Sequence, residues 1–102
     1  MVILGTDIKL NVHIEPIDGL SMSDYDFECT FYVFPNRKIT IPKSKMKKLD
    51  EDNYMALITS EEAYTIGKGK VTMEITAYIP DTDFDDYIRT EKAKIWTGVT
   101  IV

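Results

Sequence analysis

The sequence predicts an all-β domain, a single largely antiparallel sandwich or partly open barrel of six to eight short strands. Three observations carry that expectation. Ile8, Leu10, Val12 and Ile14 alternate with Lys9, Asn11 and His13, and Val71, Met73, Ile75, Ala77 and Ile79 alternate with Thr72, Glu74, Thr76 and Tyr78. Strand side chains point to opposite faces in turn, so each stretch reads as a strand with one buried and one wet face. That pattern belongs to antiparallel sheets. Finally, Pro16, Asp18-Gly19, Pro35-Asn36, Pro42, Gly67 and Pro80 punctuate the chain at the short intervals of an all-β fold.

Taken in order, residues 6–15 form the first strand, and Pro16 ends it because proline has no N–H to give to a ladder. A turn-rich connection follows. Residues 25–34 form the second strand, with Phe27, Cys29, Phe31 and Val33 on one face and Glu28 and Thr30 on the other. Tyr32 to Phe34 is apolar on both faces, as a central strand or one covered by a partner would be. Pro35-Asn36 turns the chain into a hairpin with Lys38–Ile41. Ser44 is placed to cap one helical turn over Lys45–Leu49, and Tyr54–Thr59 is a further strand. Ser60 then caps a short helix with Glu61 and Glu62 in its first turn, stopped within two turns by Gly67 and Gly69. Lys70–Ile79 is a long strand, Asp81–Asp86 an acidic loop, and Arg89–Ile101 the last strand, kinked near Gly98. The core is expected to draw on Ile8, Leu10, Val12, Ile14, Phe27, Cys29, Phe31, Ile39, Ile41, Val71, Met73, Ile75, Ala77 and Ile95.

Composition bounds the function. The chain has 102 residues, read as one domain over 1–102, with 44% apolar and 28% charged residues and a net charge of −5. An acidic chain makes a poor partner for a phosphate backbone. Its one basic cluster, Lys43, Lys45, Lys47 and Lys48, has no interleaved aromatics for base stacking, so no nucleic-acid partner is expected. The single Cys29 cannot form an internal disulfide. Met1–Gly5 is too short for a signal peptide's apolar stretch, and no run approaches a membrane span, so no signal peptide, transmembrane segment or membrane partner is expected.

Chemistry-bearing residues are few. Asp81, Asp83 and Asp85 stand at the first, third and fifth positions of a loop, the opening of a weak Ca²⁺ candidate. Asp86 then replaces the glycine that the tight turn needs, and Lys92 the closing glutamate. His13 is the only histidine and falls on the wet face of its strand, whereas Cys29 falls on an apolar face, so the two are not expected to pair as base and nucleophile. Gly67-Lys68-Gly69-Lys70 precedes a strand, where a phosphate loop precedes a helix. Asp24, Asp26 and Glu28 are the remaining carboxylate group on one strand. These residues predict no enzyme, no metal centre and no cofactor. The ends are unusual. Val2, Ile3, Leu4, Val99, Ile101 and Val102 carry neither charge nor proline, so the terminal segments are expected either inside the sandwich or at an interface with another chain.

Across most of its length the chain resembles the small immunoglobulin-like β-sandwich modules of phage tail and baseplate proteins. The phrases Ile79-Pro80-Asp81-Thr82-Asp83-Phe84 and Thr97-Gly98-Val99-Thr100-Ile101 look like those of Bacteroides-type phage or prophage proteins. The chain lacks the Cys…Trp…Cys spacing of true immunoglobulin domains. The resemblance implies a non-enzymatic structural or assembly module of a tail, baseplate or capsid, located in a virion or the bacterial host cytoplasm. Its partners would be copies of itself or other virion proteins. The alternative is a small binding module for Ca²⁺, carbohydrate or another small ligand. The apolar termini favour the first reading, and the acidic loop and exposed tyrosines favour the second.

Overall fold

In the computed structural model, which describes residues 1–102, the two alternating stretches lie in different sheets. Strand β1 (Ile8–His13) joins β4 (Lys47–Asp50) and β5 (Asn53–Ile58) in a three-stranded sheet of order β1-β5-β4. Strands β2 (Asp26–Tyr32), β3 (Ile39–Pro42), β6 (Gly69–Pro80) and β7 (Ile88–Ile101) form a four-stranded sheet of order β3-β2-β6-β7. Every ladder between strands is antiparallel. The order is that of an immunoglobulin-like sandwich, with β1-β5-β4 facing β3-β2-β6-β7. The expected β-sandwich is therefore present, with seven strands.

The inner faces of both sheets meet in one cluster of 20 buried residues. Along β6 the alternation is strict: Val71, Met73, Ile75, Ala77 and Ile79 are buried, and the residues between them are not. Phe27 of β2 meets the ring of Tyr54 of β5 edge-on, with centroids 5.3 Å apart, and so locks one sheet to the other. Met22, Tyr25, Tyr54, Ala56, Ile58, Ile66 and Ile101 also belong to this core. Tyr32 is buried on the central strand β2, as its two-sided apolarity suggests, whereas Phe34 in the following turn is 86% exposed.

Helix α1 (Ser60–Ile66) carries the chain from β5 to β6. Its cap is Thr59, one residue before the expected Ser60. The Glu62 N–H donates to Thr59 Oγ1 at 3.2 Å, and the Thr59 N–H donates to the Glu62 carboxylate at 2.9 Å. Gly67 ends the helix at φ +83°, where a Cβ would lie 2.5 Å from the Asn36 amide nitrogen that bonds the Ile66 carbonyl.

Two expectations are corrected. Lys45–Leu49 is not helical: a single 3-10 turn over Lys43–Lys45 leads directly into β4. The Asp50 carboxylate accepts from the Asp52 N–H and from the Asn53 amide, each at 2.9 Å, and this closes the β4–β5 hairpin. Hairpin pairing overrides the local helical preference of a lysine-rich stretch. Ile95 is on the inner face of β7, opposite Met73, yet it is 44% exposed. The reason is the unequal strand count: three strands face four, and no strand covers β7. Of the terminal residues expected either inside the sandwich or at an interface, the interface candidate Ile101 is 1% exposed and lies within the core.

The termini find each other. The Val2 N–H donates to the Thr100 carbonyl, the Val102 N–H to the Val2 carbonyl and the Leu4 N–H to the Val102 carbonyl, each at 2.8 Å. Val2 and Ile101 thus form a parallel bridge along the last residues of β7. Near Gly98 the β6–β7 register slips, where the Thr97 hydroxyl donates to the Val71 carbonyl. This is the expected kink, and it lets the end of β7 turn toward the N-terminus.

Candidate functional site

Covering three strands with four leaves one place empty. It lies beside β1, against the inner face of β7, where the first strand of an immunoglobulin-like sheet would sit. No strand of residues 1–102 pairs with the outer edge of β1. Two adjoining indentations, of about 320 Å³ and about 200 Å³, run along this place and share His13 and Ile95. Ile75 and Ala77 of β6 form the floor, Ala93 and Ile95 of β7 one wall, and Leu10 and Ile14 from β1 and its continuation the other.

The groove is apolar in the middle and acidic at one end. Because Ile79 pairs with Arg89 and Ala77 with Glu91, both Arg89 and Glu91 stand on the inner face of β7. Arg89 binds Asp18 and Asp81 at 2.7 Å each. Its Nε lies 3.3 Å from the Glu91 carboxylate but out of line for a hydrogen bond. The His13 ring faces two acceptors, the Asp52 carbonyl 2.9 Å from Nδ1 and the Glu15 carboxylate 3.1 Å from Nε2, and the protonated imidazolium donates to both. These contacts, with Glu15 first, raise the His13 pKa above its ordinary 6.5. Nearby, the buried Tyr25 hydroxyl and an Asp52 carboxylate oxygen have no hydrogen-bond partner. Burial, and then the charges of Asp52 and Glu91, push the Tyr25 hydroxyl up to about 12.

Other sequence-singled residues are engaged locally. Asp81 accepts from the Asp83 N–H at 2.9 Å and binds Arg89, and these contacts hold its carboxyl below the usual range. No group of three or more potential ligands, including Asp81, Asp83 and Asp85, is placed to hold a metal ion. Cys29 is buried in the core, and its thiol is pushed up to about 12, chiefly by desolvation. Lys43, from the basic cluster, donates to the Tyr25 carbonyl at 2.8 Å and lies over the Phe27 and Tyr54 rings, which makes it a brace within the fold. The largest indentation, about 640 Å³, opens beside Asp26, Glu28, Tyr78 and Tyr87. Two of its polar groups are engaged locally: the Tyr78 hydroxyl donates to Glu28 at 2.7 Å, and Asp26 accepts from the Phe27 N–H at 3.0 Å. Nothing there converges on a ligand.

Among the terminal interface candidates, Ile3 and Val102 remain exposed, Val2, Leu4 and Val99 are half-buried against the core, and Ile101 is inside it. The residues of the groove wall, Glu91, Ala93 and Ile95, were not foreseen as a site. The available signal was the mixed inner face of β7: inward-pointing Arg89 and Glu91 mark a strand that its facing sheet does not cover. No helix is long and apolar enough to cross a membrane. In comparisons with known proteins, the chain matches no protein-family model, no curated protein and no solved structure.

Proposed function

We propose that this chain is a non-enzymatic assembly module that works through protein–protein contacts at the open side of its sandwich. The observation that supports the reading is the unpaired edge of β1 beside the uncovered inner face of β7. A sheet edge offers main-chain donors and acceptors, and the apolar residues beside it offer burial, the two ingredients of strand addition. The phage tail or baseplate setting that the sequence resembles is a setting in which such a module would act, with other virion proteins or further copies as its neighbours. The terminal segments play a smaller part than their composition suggests, because they are spent largely on each other.

The test is sedimentation of the tagged chain in the cell that encodes it. The wild-type chain is expected to travel with a larger protein assembly. Ile95→Lys, at an exposed position, is expected to release it as a free chain with its melting temperature unchanged. A wild-type chain that stays free throughout contradicts the reading.

A further inference from the structure

We infer that the groove between β1 and β7 receives one extended segment of a different protein, which enters as an added strand antiparallel to β1 with a basic residue at its N-terminal end. This deepens the assembly reading and rests on it.

The place is one strand wide. It continues the three-stranded sheet beyond β1 and lies against β7, the strand by which the other sheet overhangs. The edge of another sandwich would arrive with its own facing sheet, which would collide with β7. In a two-fold β1–β1 pairing, both four-stranded sheets fall on the same side and overlap by the overhanging strand. A second copy is therefore shut out, and a lone extended segment is admitted. Such a segment runs along the six residues of β1, about 20 Å at strand rise. It presents every second side chain to Ile75, Ala77, Ala93 and Ile95, so its inward positions are apolar.

Charge sets the orientation. An antiparallel segment starts beside the end of β1, where Glu15 and Glu91 flank the groove, and the one lysine there, Lys92, has its ammonium 3.9 Å from Glu74. Asp18, Asp52 and Asp81 stand behind them, against Arg89 and His13. Arg89 is spent on Asp18 and Asp81, and it meets Glu91 without a hydrogen bond. A lysine or arginine at the entering end supplies the missing positive charge.

The probe is a synthetic eight-residue peptide that begins with two lysines and then alternates valine with threonine. A dye at the C-terminus of the peptide reports occupancy by fluorescence anisotropy. Saturable binding is expected, at least tenfold weaker when glutamates replace the lysines. Glu91→Lys should reverse that preference, and Ala93→Arg should abolish binding. Circular dichroism checks that both variants, altered outside the buried core, remain folded. Absence of saturable binding, indifference to the terminal charge, or binding that survives Ala93→Arg overturns the proposal. If the peptide fails while the chain still joins a larger assembly, the groove proposal falls and the assembly reading stands. If the peptide binds as described while the chain stays free in its cell, the assembly reading falls and the groove remains a peptide site.

Discussion

His13 shows how much of a residue's role the surroundings decide. Alternation places it on the wet face of β1, and there it stays. Its partners, Glu15 and the Asp52 carbonyl, come from the strand's continuation and from a hairpin turn 39 residues away. Because its pKa is raised in the folded chain, protonated His13 favours folding. That contribution is fully present below about pH 6.5 and is lost as pH rises through the folded value. Ring titration by NMR should give a pKa above 6.5, and Glu15→Gln should bring it down. A wild-type value at or below 6.5 contradicts the hydrogen-bonded arrangement. Ile101 illustrates the opposite case. Its apolar terminal context is visible in the sequence, but its place in the core comes from pairing with Gly69 of β6 on one side and Val2 on the other. Ile101→Lys should cost at least about 3 kcal/mol of stability in denaturant unfolding, because it removes a buried side chain and buries a charge. An unchanged midpoint would place Ile101 outside the core.

At the level of elements, legibility tracks how much each one depends on its own sequence. β1 and β6 declare themselves by strict alternation, and the helix by a cap, two acids and a stopping glycine. Thr59→Ala should cost about 1 kcal/mol, because the Glu62 N–H loses its acceptor. The check is chemical denaturation, and a change within error would mean that the cap contributes nothing. β4 was not legible: Lys47–Asp50 has no buried side chain and no apolar periodicity, and only its pairing with β5 makes it a strand. β7 was legible as a strand but not as an uncovered one. Ile95 has the position of a core residue and lacks the facing strand that would make it one.

At the scale of the whole molecule, the sandwich follows from amphipathic strands that must bury one face, and that much is written along the chain. The imbalance of three strands against four is a property of pairing order, which no local pattern encodes. The candidate site lies at that imbalance, and its one trace in the sequence is the charged pair Arg89 and Glu91 on the inner face of β7. The central claim is that the outer edge of β1 is open in the isolated chain and filled in the assembled one. Amide hydrogen exchange along Ile8–His13 measures this directly. In the free chain, the amides bonded to β5 should exchange slowly and the alternate, outward-facing amides fast. In the assembly, the outward-facing amides should become protected as well. Protection of every β1 amide in the free chain, or fast exchange of the outward set after assembly, would contradict the account.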